Sequence, residues 1–188
     1  MAMLQHALAW ARRGYRVFPL APNSRVPAWA DWDWRVEASS DPAVIAAWWG
    51  TGEWNIGCCA GSGTVVVDLD QKNGKDGLGE YLAMGGVFGT LAVRTPTGGM
   101  HLYFAGDGRN TSNTIGRGID TRGDGGYVVA PGSVIDGVAY AVTADAPVAP
   151  LPAIIAEAAQ RRAEVATSAP LTELDTPQAL AAARVWLD

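Results

Sequence analysis

A chain of 188 residues that is 48% hydrophobic and 18% charged has the length to bury a core and is too apolar to stay disordered, and none of its apolar runs approaches the ~20 residues that cross a bilayer. The formal net charge of −5 excludes a broad electrostatic grip on nucleic acid, so any such function has to come from a local site. There is no signal-peptide pattern, and the two cysteines, Cys58 and Cys59, are adjacent, a spacing that suits neither an ordinary disulfide nor a zinc knuckle; the expected location is the reducing cytoplasm.

In chain order, residues 3–13 carry apolar positions around a helical face, with Gly14 as the stop. "YRVFPL" reads as a short strand closed by Pro19, followed by a loop with Arg25 and Pro27 and the aromatic stretch "WADWDW". There Trp29, Trp32 and Trp34 either form one exposed edge on which template bases stack or pack into the core. Ser40, Asp41 and Pro42 open a helix through Trp49. "NIGCCA" and "TVVVDLD" are predicted strands joined by Gly61 to Gly63, and residues 76–84 a short helix. Strand-like runs then dominate through "LAVRT", "HLYF", "GYVVAPGS" and "VAYAV". Prolines at 147, 150 and 152 introduce a helix to about residue 162. Helices alternating with strands, then strands in succession, predict a layered α/β or α+β domain over residues 1–165. Residues 166–188 read as a linker and the start of a further helical segment.

Three stretches carry chemistry. In "TVVVDLD", Asp68 and Asp70 lie two apart on a strand and so share a face, a geometry for holding metal ions, although D-x-D also arises by chance. In "TPTGGMHLYF", the Thr97–Gly98–Gly99 turn has the makings of an anion nest, and His101 follows in phase with Tyr103; a tight turn beside a half-buried histidine is the plainer reading. In "GIDTRGDGGYVVAPGS", Asp120 and Arg122 again share a face, as a salt bridge or as a metal ligand beside a phosphate-binding guanidinium, and Ser133 is a further polar candidate.

Taken in order, the hhhDhD strand, the TGG-x-H-hhF strand and the G-h-D-x-R-G-x-G-G-Y-h-h-x-P-x-S segment resemble the bifunctional primase–polymerase N-terminal domain of the archaeo-eukaryotic primase superfamily. "GYRVFPLAPNSRVP" and "WNIGCCAGSG" extend the resemblance over roughly residues 4–142. It implies an α+β fold of two modules, one similar to an RNA-recognition-motif sheet, with a catalytic cleft between them. It also implies that Asp68, Asp70 and Asp120 bind two divalent metal ions, Mg²⁺ or Mn²⁺, and that His101 contacts the incoming nucleotide. Arg122 is then expected near the triphosphate with Thr97, Gly98, Gly99 and Ser133, while Arg25 stands where relatives often carry lysine.

The chemistry agrees with that expectation. Three carboxylates within about 5 Å repel by roughly 3 kcal/mol per pair at an effective dielectric near 20, so such a cluster is comfortable only with cations or protons bound. Two divalent ions would activate a 3′-hydroxyl and steady a pyrophosphate leaving group. The implied partners are a single-stranded DNA template and primer, nucleoside triphosphates, and a helicase as further domain or partner, with no membrane. A metal-dependent phosphohydrolase and a catalytically silent nucleotide or nucleic-acid binding module are the competing readings. The sequence has no G-x-x-x-x-G-K-[ST] pattern, so an ATPase motor would lie elsewhere.

Overall fold

The structure is a computed structural model that describes residues 2–158. The expected end of the last helix near residue 162 and the segment 166–188 lie outside the described residues.

Helix α1 (Ala2–Arg12) buries Ala7, Trp10 and Ala11 along one face. It is stopped by Gly14, whose φ of +92° continues no helix. Strand β1 (Val17–Leu20) leads through a loop and the single turn α2 (Trp34–Glu37) to α3 (Pro42–Trp49). The start of α3 is set by Asp41, whose side chain accepts the Ala43 N–H, and by proline at the first helical position. Then come β2 (Asn55–Cys59), β3 (Thr64–Leu69), α4 (Gly77–Ala83), β4 (Ala92–Arg94), β5 (Met100–Ala105), β6 (Ile119–Arg122) and β7 (Tyr127–Val129). A hairpin of β8 (Val134–Ile135) and β9 (Val138–Ala139) precedes β10 (Ala141–Ala144) and β11 (Ala149–Pro150), and residues 153–158 are helical.

These strands form two principal sheets. The smaller has the antiparallel order β1-β2-β7; the larger runs β10-β4-β5-β3-β6, with β11 parallel to β5. Helix and sheet are thus mixed in an α+β arrangement. One core lies between the sheets, where Val66, Val93 and Tyr103 of the larger sheet pack with Phe18, Ile56 and Val129 of the smaller. A second core covers the opposite face of the larger sheet, where Val67, Leu69, Leu102 and Ile119 pack with Tyr81 of α4. Strand β3 is therefore buried on both faces, which explains its unbroken run of valines.

One strand expectation changes in the structure. Pro19 lies inside β1 rather than closing it, opposite Ile56. β2 is the one strand beside β1, whose other edge meets the chain only at isolated bridges with Ser39 and Pro27, so the missing N–H interrupts no second ladder. β2 and β3, although joined at Gly61 to Gly63, belong to different sheets. Gly61, Ser62 and Gly63 all have positive φ, and the resulting reversal, tied by Gly61 N–H to the Thr64 carbonyl at 2.7 Å, carries the chain from one sheet to the other.

Of the aromatic stretch, Trp34 packs into the core, while Trp29 and Trp32 are half-buried in a cluster of rings. Trp34 is buried and stacks on Phe18 with ring centroids 5.0 Å apart, while Trp29 meets Trp32 and Trp54, and Trp32 meets Trp48. Cys58 and Cys59 are free thiols. Burial holds the Cys58 thiol well above its ordinary pKa and pushes Cys59 up to about 11. No helix among the described residues is long and apolar enough to cross a membrane.

Candidate active site

The site is a row laid across three strands. In the antiparallel register Asp68 of β3 stands opposite His101 of β5 on one side and Asp120 of β6 on the other. Directly opposed residues project from the same face with Cβ atoms about 5 Å apart, so the three side chains are neighbours although up to 52 positions separate them in sequence. That face looks toward the smaller sheet: Val66 and Tyr103, two residues earlier on β3 and two later on β5, are part of the core between the sheets. Past them the layer becomes polar and opens into a cavity of about 510 Å³, lined by Arg25, Asp68, Asp70, His101, Asp120 and Arg122 together with residues of β7.

His101 is almost fully buried. Its Nε2 lies 3.6 Å from an Asp68 carboxylate oxygen, its ring lies 5.6 Å from that of Tyr140, and its Nδ1 has no protein partner. Burial pulls its pKa below the usual histidine value, and the attraction of Asp68 only partly offsets this. The imidazole is therefore neutral at pH 7, with one buried ring nitrogen left to meet a ligand.

Asp120 is held from two sides: one oxygen accepts the Asn113 backbone N–H at 2.7 Å and the other accepts Arg122 Nη2 at 3.1 Å. Arg122 Nη1 donates to the Thr111 carbonyl at 3.0 Å, which fixes the plane of the guanidinium against the cavity wall. Asp70 sits just past the end of β3, its backbone N–H donating to the Gly118 carbonyl at 2.8 Å. Its carboxylate is paired with Lys72 at 3.1 Å and Lys75 at 3.0 Å. Burial raises the Asp70 pKa, but the two ammonium groups outweigh it and hold the carboxyl below its usual range. Arg25, expected only with reserve, does face the cavity, where its Nε donates to the Tyr140 hydroxyl at 3.1 Å.

The turn before β5 contributes differently from the expected nest. Thr95 and Thr97 line the cavity, whereas the Gly98 N–H closes the turn on the Thr95 carbonyl at 3.0 Å and is not free for an anion. Gly99 is packed so tightly that a Cβ would fall inside contact distance of the Leu69 carbonyl oxygen; its lack of a side chain lets β5 approach β3. Ser133 lies apart from the cavity: it is fully buried, and its hydroxyl accepts the Ile56 N–H at 2.9 Å, so its role is to tie the β7–β8 connection to β2. Sequence reasoning gave no place in the site to Lys72, Lys75, Asn113 and Tyr140. For the lysines a signal was available, since they are the chain's only two and both closely follow Asp70.

Among the described residues, no three His, Cys, Asp or Glu side chains are drawn together as a ready metal cage. The donors nevertheless suit a hard divalent cation, which takes carboxylate oxygens. Asp68 and Asp120 stand opposite each other across one strand pair, where a cation held by either would offset their like charges.

Comparison with curated proteins gave no match. The sequence pattern described as bifunctional DNA primase/polymerase, N-terminal, matches residues 7–154, which contain every element that lines the cavity. By that match over most of its length, the chain belongs to the bifunctional DNA primase/polymerase N-terminal family, Prim-Pol.

Proposed function

We propose that this domain catalyses DNA-templated nucleotidyl transfer, making or extending primers from nucleoside triphosphates during replication of a phage, plasmid or other mobile element. The observation that carries the reading is the cross-strand row of His101, Asp68 and Asp120 at the floor of a cavity that also holds Arg122 and Arg25. The two sheets correspond in this reading to the two modules of the archaeo-eukaryotic primase fold, the larger being the RNA-recognition-motif-like one, and the catalytic unit is residues 1–165.

Four cationic side chains against three carboxylates line the cavity, a balance that welcomes a polyphosphate. Arg122, its plane already fixed by Asp120 and Thr111, would meet the triphosphate without further ordering. The buried neutral ring of His101 would direct one polar nitrogen at the nucleotide, in surroundings where a hydrogen bond is strong. Asp68 and Asp120, joined by Asp70, would hold Mg²⁺ or Mn²⁺, which when bound lowers the pKa of the 3′-hydroxyl and steadies the departing pyrophosphate. The primer oxygen bonds to the α-phosphorus as the bond to the bridging oxygen breaks, and no protein side chain serves as nucleophile. An acidic chain grips template weakly and in a strongly salt-dependent way, so a helicase domain or partner would supply the single strand.

The test is extension of a labelled primer on single-stranded DNA with Mg²⁺ or Mn²⁺. Wild type is expected to elongate the primer, and Asp68→Ala to lose at least about 100-fold in rate, the scale on which positioned electrostatic groups act. Nucleotide hydrolysis without a longer strand would identify a phosphohydrolase instead. Nucleotide binding without any turnover would identify a silent binding module.

A further inference from the structure

Asp70 is the one carboxylate of the cavity that carries two ammonium groups. Lys72 Nζ lies 3.1 Å from its Oδ1 and Lys75 Nζ 3.0 Å from its Oδ2, so each oxygen has a cation of its own. The local backbone arranges this. After β3 the chain turns back on itself: the Asp70 carbonyl accepts the Gly77 N–H at 2.9 Å, and the Lys72 carbonyl accepts the Lys75 N–H at 3.0 Å. Asn73 and Gly74, with φ of +54° and +70°, make the bend. Two side chains that leave the strand end are thereby returned to it.

Among the chain's 14 basic residues only these two are lysines. Arginine would grip a carboxylate with a planar fork; lysine is a point charge on a flexible stem, suited to letting go. Lys72 also lines the cavity, and its side chain is 38% exposed against 15% for Asp70, so the ammonium is within reach of an arriving anion. Asp68 faces the imidazole of His101, and Asp120 is paired with a guanidinium that the Thr111 carbonyl holds in place, so only Asp70 is paired with cations on flexible stems. Asp70 is therefore the ligand whose availability is conditional.

We infer that Lys72 and Lys75 are an internal stand-in for the divalent cation at Asp70, competing with metal for that carboxylate and passing to the phosphates of the incoming nucleoside triphosphate when it binds. The inference rests on the nucleotidyl-transfer reading of the cavity. A triphosphate offers more negative charge than one carboxylate, so its arrival draws the ammonium groups away and uncovers Asp70. Metal and nucleotide binding are then positively coupled, and by linkage each strengthens the other by the same factor.

The test measures Mn²⁺ binding to the whole chain without nucleotide, from the electron paramagnetic resonance signal of the free ion. Lys72→Met with Lys75→Met removes the competitor and keeps the stems; it is expected to bind Mn²⁺ about tenfold more tightly, as two partly exposed ion pairs allow. The same variant, with metal chelated, is expected to bind nucleoside triphosphate several-fold more weakly by calorimetry. Lys72→Arg with Lys75→Arg keeps the charges and grips the carboxylate more firmly, so it should bind Mn²⁺ no more tightly than wild type, and tighter binding there overturns the inference. Single Lys72→Met gives the same direction with a smaller step if the pair destabilises the loop. Unchanged or weaker Mn²⁺ binding in the methionine variants overturns the inference, and if primer extension by wild type persists, the catalytic reading stands without it. Absence of both Mn²⁺ binding and extension in wild type overturns the two together.

Discussion

Asp68 and Asp120 stand side by side on neighbouring strands, a placement in which like charges work against the sheet. Arg122 and the Asn113 N–H offset the charge of Asp120, but among the described residues the close ionisable partner of Asp68 is a neutral imidazole. The fold therefore carries this charge for the sake of the site. Asp68→Asn, which keeps shape and removes one charge, is expected to raise stability by about 0.5 kcal/mol while abolishing extension. Urea denaturation in the absence of metal checks the first part; a less stable variant would make Asp68 a structural ligand of the sheet instead. Such an opposition of stability and activity is usual where strained electrostatics serve function.

At the scale of elements, the β3–β5 pair sets the register of the row, and Gly99 sets the approach of β5. A methyl group at Gly99 would meet the Leu69 carbonyl and lie 3.1 Å from Thr95 Oγ1, and the backbone oxygen cannot swing aside. Gly99→Ala should cost about 3 kcal/mol and lower extension along with stability, because Leu69 faces Met100 one step from Asp68 and His101. Gly98→Ala is the control: nothing crowds its Cβ, and only its φ of +86° opposes the change, at about 1–2 kcal/mol. Urea midpoints of the two variants separate packing from backbone strain. The elements themselves were legible because their signals are local: Asp41–Pro42 starts α3, and the two-residue phase puts Asp68 with Asp70 and Asp120 with Arg122. Pairing partners were not legible. Nothing near β2 and β3 tells that they part into different sheets, and nothing near Ser133 tells that its hydroxyl is claimed by Ile56, 77 positions away. The two lysines stand out in the sequence, but their pairing with Asp70 was not legible, because an ion pair closed by a loop depends on the loop's path.

Across the whole molecule, all five tyrosines are held above their ordinary pKa, and in each burial is the largest cause. Tyr15 reaches about 12, while Tyr140 is raised despite the opposing hydrogen bond from Arg25. An unfolded tyrosine ionises near 10, so above that pH the unfolded chain loses protons that the folded chain keeps. The stabilisation is complete below about pH 10 and is lost as pH rises toward the folded values. A titration followed by phenolate absorbance should therefore show little ionisation at pH 10 and a steep rise coincident with loss of helical circular dichroism. A smooth five-tyrosine curve centred on 10 would contradict this packing.

The path of the chain between its sheets has a consequence for how the protein comes into being. β1 and β2 build the smaller sheet, β3 to β6 the larger, β7 returns to the smaller, and β10 and β11 return to the larger. Neither sheet is a continuous stretch of sequence. During synthesis the row of Asp68, His101 and Asp120 can be complete while the wall opposite still awaits Tyr127 to Val129, and Tyr140 emerges later still. A fragment cut at any loop between β3 and β10 leaves one sheet short of a strand, so neither half is a unit that recombination could pass on alone. The cleft has two sides, but it is inherited as one piece.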